Sequence, residues 1–88
     1  MSTSGEPHPD LDMQLARRRV AQARGELMQS KLWRHVRTGG IYWIQTVAIA
    51  EATGAALVIY THSESGTTWA RPAAEFLDGR FVPHKSVA

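Results

Sequence analysis

Glycine-containing turn signals divide the chain after Lys31 into short segments rich in β-branched and aromatic residues. Such segments favour β-strands, and glycine in the connecting sequences tolerates the positive φ angles that tight turns need. The segments that this pattern predicts as strands are 32–36, 41–50, 56–61, 67–71 and 80–82. Pro72 lacks a backbone N–H and should end the fourth strand, so residues 73–77 are predicted as a single 3₁₀ turn.

Within the longest predicted strand, side chains should alternate between the two faces of the sheet. Tyr42 and Ile44 are therefore expected on one face, and Trp43 and Val47 on the other. Both faces then carry apolar residues, so one face would form the core while the other carries a helix.

The sequence before the predicted strands favours an α-helix over residues 10–31. This range contains no proline and is dominated by Ala, Leu, Gln, Arg and Met, which have high helix propensity. Asp10 is predicted as the N-cap, with Asp12 in the first turn, where a negative charge is favourable against the helix dipole. Residues 1–9 are expected to be disordered, and residues 84–88 to be a frayed tail.

The apolar residues of the predicted helix recur three or four positions apart. They are Met13, Ala16, Val20, Ala23 and Leu27. The favoured interpretation is an amphipathic helix that packs this narrow stripe on its own domain, because two alanines make a weak seam between separate helices. The alternative is an interaction helix that contacts a protein partner or a second copy of the chain. Its contact residues would be Arg17, Val20, Arg24 and Leu27.

Together these predictions give an α+β fold. An N-terminal α-helix is followed by a small antiparallel five-stranded SH3-like barrel or roll over residues 32–83. Closing the sheet on itself would cover the exposed edges of so small a β unit. An open sheet with the helix laid across one face is the competing architecture.

Composition excludes several kinds of site. The 88-residue chain has no cysteine, which removes disulfides and thiolate ligands and fits a reducing cytoplasm. Its four histidines are far apart in sequence, so no metal site and no cofactor are predicted. The carboxylates are scattered over turns and no serine lies in a nucleophile elbow, so the chain is expected not to be an enzyme. No apolar run approaches the roughly 20 residues of a membrane span, so no membrane partner is expected.

Four residues form a candidate ligand site: His35, Tyr60, Trp69 and Arg71. Alternation places Trp69 and Arg71 on the same face of the fourth strand, and Tyr60 lies late in the strand before it. Arg71 and His35 would supply charge and hydrogen bonds, and Tyr60 or Trp69 a stacking face for a planar anionic ligand. The interpretation favoured for so small a domain is instead that Trp69 and Phe76 belong to the core and that Arg71 holds the following turn.

Three sequence elements resemble the uncharacterised bacterial and phage domain-of-unknown-function family 1653. They are 33–42, 57–60, and the segment 69–81 that contains Trp-Ala-Arg-Pro and Asp-Gly-Arg-Phe. The resemblance covers residues 33–81 and implies a small SH3-like β-barrel, but it implies no activity. Family members often carry an acidic residue near position 55 or 56, where this chain has Ala55 and Ala56, so no role is assigned to that hairpin.

Two functions follow from these observations. The first is a non-catalytic binding module for a nucleotide-like ligand or a nucleic acid, supported by aromatic residues interleaved with arginine and by a net charge of +2. The second is a protein-interaction or assembly module that uses the helix, and an inhibitor of a host system carried by a mobile element is one form of it.

Overall fold

The computed structural model describes residues 12–85 and shows one helix followed by a five-stranded antiparallel sheet. The elements are α1 (Met13–Leu27), β1 (Leu32–His35), β2 (Ile41–Ile49), β3 (Ala56–His62), β4 (Thr68–Pro72), the short helix α2 (Ala73–Glu75) and β5 (Phe81–His84). A π-type helical turn, Phe76–Arg80, joins α2 to β5. The predicted α+β class and the order of helix and strands are therefore confirmed. Among the described residues, no helix is both long and apolar enough to cross a membrane.

The sheet has the strand order β4-β3-β2-β1-β5, so β5 returns to pair with β1. Within residues 12–85, β4 and β5 are not paired with each other, and the predicted closure into a barrel or roll is not confirmed. The sheet is nevertheless strongly curled. The ring centroids of Tyr60 on β3 and Phe81 on β5 are 5.4 Å apart. Three strand spacings in a flat sheet would separate these strands by about 14 Å.

Because of a β-bulge in β2, the side chains of this strand do not alternate between the two faces as predicted. The pairing between β2 and β3 shifts between Ile44 and Thr46, which leaves Gln45 as the extra residue. Beyond the shift Val47 lies opposite Val58, and both are buried in the core. Val47 therefore lies on the same face as Tyr42 and Ile44, and its predicted position beside Trp43 is wrong because one inserted residue reverses the alternation.

Helix α1 begins and ends inside the predicted range. Its N-cap is Asp12, whose side chain accepts a hydrogen bond from the Leu15 N–H at 3.0 Å, while Asp10 lies outside the described residues. It ends at Leu27 instead of Lys31, because the chain then turns to bring Trp33 into the core. The Trp33 indole N–H donates to the carbonyl oxygens of Leu27 and Ser30, each at 3.3 Å, which satisfies carbonyl groups at the helix end.

The predicted ends of the chain are only partly described. Residues 1–9 and 86–88 lie outside the described range. The last strand continues to His84 and includes Pro83, although proline was expected to end it at residue 82. β5 is an edge strand, and an edge position tolerates a residue without an N–H.

The core is an aromatic cluster that α1 covers from one side. Phe76 is fully buried and stacks on Phe81, with ring centroids 4.1 Å apart and an interplanar angle of 7°. Trp33 and Tyr60 meet the Phe76 ring edge-on. The helix contributes Leu27, which is fully buried, and Ala23 to the same cluster. The favoured prediction, that the apolar stripe of the helix packs on its own domain, is confirmed.

Replacing Gly25 with alanine is expected to raise the free energy of unfolding by about 0.5–1 kcal/mol, because glycine costs conformational entropy in a helix. A Cβ at Gly25 would have no heavy atom within 4 Å. Gly40→Ala should act in the opposite direction, because its Cβ would lie 3.1 Å from Cε1 of Tyr42 and 3.4 Å from Nε2 of His62. Urea denaturation measures both changes, and a Gly25→Ala variant less stable than the parent would contradict the first.

Candidate functional site

Two turns with the same sequence pattern, His-x-x-Ser/Thr-Gly, lie at one end of the sheet. They are His35–Gly39, between β1 and β2, and His62–Gly66, between β3 and β4. In the first, the glycine N–H donates to the histidine carbonyl at 2.8 Å, and in the second at 2.9 Å. Both glycines have positive φ, 76° and 72°, which explains why glycine closes each turn. The pattern therefore places two histidines in equivalent positions.

Each turn fixes the tautomer that its histidine ring adopts when the ring is neutral. Nδ1 of His35 accepts a hydrogen bond from the Thr38 N–H at 3.3 Å, and Nδ1 of His62 accepts one from the Ser65 N–H at 3.1 Å. Because a backbone amide can only donate, the neutral ring carries its proton on Nε2. The His35 ring also packs edge-on against Phe81, with centroids 4.8 Å apart. Nε2–H of His35 is thus a positioned hydrogen-bond donor.

Arg71 is held over the edge of the aromatic core. Its Nε donates to the hydroxyl oxygen of Tyr60 at 3.2 Å, and its Cζ lies 5.7 Å from the centroid of the Phe81 ring. Nη1 lies 3.5 Å from a carboxylate oxygen of Glu75. The hydrogen bond with Tyr60 is the main cause that raises the pKa of Arg71 above its ordinary value, and the nearby Glu75 and Asp78 carboxylates act in the same direction. This cation is therefore fixed in charge and in orientation.

Between the first turn and the loop before β5 lies an open cleft of about 900 Å³, which we call the mouth cleft. Its lining residues are His35, Val36, Arg37, Thr38, Arg71, Asp78, Gly79 and Arg80. Arg80 forms ion pairs with Glu75, at 3.2 Å, and with Asp78, at 3.3 Å. Arg37 is exposed and makes no ion pair or hydrogen bond within residues 12–85. In the mouth cleft, Arg71 and Arg80 are therefore ion-paired with carboxylates, and Arg37 is available to an anion.

The structure places two of the four predicted site residues in the mouth cleft. His35 and Arg71 line the same cleft. The ring of Tyr60 is 4% exposed, so it cannot offer a stacking face, and its hydroxyl instead orients Arg71. Trp69 lies opposite Tyr60 in the β3–β4 pairing, on the same face as Arg71, and is 53% exposed. The interpretation that Trp69 belongs to the core is wrong, whereas the same interpretation of Phe76 is confirmed.

The four residues predicted for an interaction helix divide into two groups. Leu27 is fully buried and is not free for a partner, whereas Val20 is partly buried where it packs against the core. Arg17 and Arg24 are exposed. The exposed face of α1 is therefore polar at these positions, and its apolar contact is made within the domain.

Sequence reasoning missed Arg37, Thr38, Asp78 and Arg80 in the mouth cleft. A signal for the first two is present in the sequence, because both lie in the repeated His-x-x-Ser/Thr-Gly pattern or beside it. Residues 78–80 lie beside this turn because Phe81 pairs with His35 and the Val36 N–H donates to the Arg80 carbonyl, and no local sequence pattern reveals these long-range contacts. No group of three or more His, Cys, Asp or Glu side chains within residues 12–85 could hold a metal ion.

A family model described as "Protein of unknown function (DUF1653)" matches residues 31–88. The match includes all the described strands and excludes α1. It extends the resemblance seen in the sequence at both ends. No curated protein and no solved structure matches the chain.

Proposed function

The chain belongs to the DUF1653 family of proteins of unknown function, and from the geometry of its mouth cleft we propose that it is a non-catalytic binding module for a nucleotide-like ligand or a nucleic acid. The observation that carries this proposal is the placement of Arg71. Tyr60 and Phe81 hold its guanidinium at the rim of the cleft, on the same strand face as the exposed Trp69. A cytoplasmic location and a bacterial or phage origin form part of the proposal.

Anion recognition is supported by the donors that surround the mouth cleft. Arg37 has no partner among the described residues, and a guanidinium presents a planar set of donors that matches phosphate geometry. Nε2–H of His35 adds another donor in the same cleft. Arg71 and Arg80 share Glu75, so a phosphate that approached Arg71 would meet a guanidinium with donors still free.

Recognition of a planar group is supported by Trp69. Its ring is 53% exposed two residues along β4 from Arg71, on the same face. Stacking of a base on an exposed aromatic ring contributes about 1–3 kcal/mol and tolerates different bases. The volume of the mouth cleft, about 900 Å³, is within the range typical of small-molecule sites.

A binding role without catalysis is supported by how the polar groups are used. The Glu75 and Asp78 carboxylates contact Arg71 and Arg80, and Nδ1 of His35 and of His62 each accepts a backbone N–H of its own turn. These groups are used to hold the loops in place. The alternative, an assembly module that uses α1, has less support because Ala16, Ala23 and Leu27 of its apolar stripe are buried within the domain.

Arg37→Gln is expected to weaken binding of adenosine monophosphate or a short labelled oligonucleotide about tenfold, while the melting temperature stays unchanged. A hydrogen bond to a charged group contributes about 1.5–3 kcal/mol, and Arg37 makes no hydrogen bond or ion pair within residues 12–85 that the fold could lose. Titration calorimetry and fluorescence anisotropy measure the affinity, and differential scanning fluorimetry measures the melting temperature.

The matched control is Arg18→Gln, which removes the same charge from an exposed position on α1. Equal loss of affinity in both variants would show that only net charge matters and would contradict a site at the mouth cleft. Arg71→Lys is a poorer test, because it removes the Tyr60 hydrogen bond as well as the planar fork, so that stability and binding change together.

A further inference from the structure

A second cleft, which shares no lining residue with the mouth cleft, is lined by both lysines of the chain. The chain has ten Lys and Arg residues, and only Lys31 and Lys85 are lysines. Lys31 lies between α1 and β1, and Lys85 directly follows β5, yet both line one cleft of about 780 Å³. Neither lysine makes an ion pair or hydrogen bond within residues 12–85. We call this the lysine cleft.

The wall of the lysine cleft is apolar and exposed. Met28 is 70% exposed and Trp43 is 42% exposed, and both line the cleft together with Leu32 and Ile44. Solvent-exposed large apolar side chains that converge on one concavity are typical of ligand sites. Among the described residues that line the cleft, none has a carboxylate side chain. Within residues 12–85, the lysine cleft therefore combines an apolar wall with positive charge that no lining carboxylate balances.

Hydrogen bonds hold the connection between α1 and β1, which forms part of this wall. The Ser30 hydroxyl donates to the Leu32 carbonyl at 2.7 Å, which fixes the connection between α1 and β1. The Trp33 indole N–H lies 3.3 Å from each of the Leu27 and Ser30 carbonyl oxygens. The Leu27 carbonyl lies at the negative end of the helix dipole, and its hydrogen bond reduces the repulsion of an anion in the cleft.

We propose that the lysine cleft binds a free amphiphilic carboxylate. Its apolar tail would lie against Met28 and Trp43, and its carboxylate would lie between the ammonium groups of Lys31 and Lys85. A compact ammonium is a point charge with three donors, so two ammonium groups can hold one carboxylate between them without the planar alignment that an arginine requires. The site shares no lining residue with the mouth cleft, so it is independent of the function proposed above.

Titration calorimetry with decanoate and decanol tests the proposal in the full chain, below the concentration at which either compound aggregates. Decanoate is expected to bind at least tenfold more tightly than decanol, because the two differ mainly in the charged head. The double variant Lys31→Gln/Lys85→Gln should bind both compounds equally weakly. Arg17→Gln/Arg18→Gln, which removes the same charge from exposed positions on α1, should keep the preference.

Acetylation of amines followed by mass spectrometry gives a second readout. Decanoate should slow the modification of Lys31 and Lys85 severalfold. Equal affinity for decanoate and decanol, survival of the preference in the double lysine variant, or unchanged lysine modification would each overturn the proposal. It would also be overturned if both lysines were protected without decanoate in a dimer detected by sedimentation, because a second copy would then fill the cleft.

Discussion

Phe76→Ala is expected to lower the free energy of unfolding by about 3–5 kcal/mol, the cost typical of removing a buried phenylalanine. The Phe76 side chain is fully buried and contacts three other rings. It stacks on Phe81 at 4.1 Å and meets Tyr60 and Trp33 edge-on at 5.1 and 5.4 Å. Deleting the ring leaves a cavity between helix and sheet, and aromatic contacts are lost in addition to apolar burial.

Urea denaturation monitored by circular dichroism measures this effect. Total stabilities of small domains are about 5–15 kcal/mol, so the variant should be close to unfolding at 37 °C. Trp69→Ala is the matched control, because it also removes an aromatic ring but from a position that is 53% exposed. A Phe76→Ala variant that loses no more stability than Trp69→Ala would show that the aromatic cluster is not the main core.

The same cluster supports the mouth cleft. Arg71 lies over Phe81 and donates to Tyr60, and both of those rings pack on Phe76. Loss of the Phe76 ring would therefore destabilise the fold and also make the position of the Arg71 guanidinium less defined. For this reason, variants inside the cluster cannot test ligand binding, and the exposed Arg37 can.

The order of elements was predictable because it depends on local signals. Gly39 and Gly66 have positive φ, as the composition of those turns indicated. The fourth strand was expected to end at Pro72 because proline lacks a backbone N–H. The bulge at Gln45 was not predictable from alternation, because one extra residue leaves the composition of the strand unchanged. That residue decides that Val47 packs in the core.

The candidate site was only partly predictable, because burial and long-range pairing decide it. Sequence gives no way to tell that the Tyr60 ring is buried while Trp69, its partner in the pairing, is exposed. Both rings are aromatic and lie in adjacent strands, but β4 is at the edge of the sheet. The lysine cleft shows the same limit, since Lys31 and Lys85 approach one another only through the pairing of β1 with β5.

Leu27→Ala is expected to lower the free energy of unfolding by about 2–5 kcal/mol, as large deletions from a core do. Leu27 is fully buried in the cluster that joins α1 to the sheet. Met28→Ala is the matched control, because the adjacent Met28 is 70% exposed and its removal should change stability little. Chemical denaturation of the two variants measures the difference.

The same pair of variants separates a core helix from an assembly helix. If α1 served mainly to join copies or to hold a protein partner, Leu27→Ala would change the sedimentation coefficient while the domain kept its melting temperature. Burial of Leu27 and Ala23 against the sheet predicts the reverse, with a large fall in melting temperature at every protein concentration. A stability loss that disappears on dilution would instead place the contact of Leu27 between chains, and α1 would then be an assembly element.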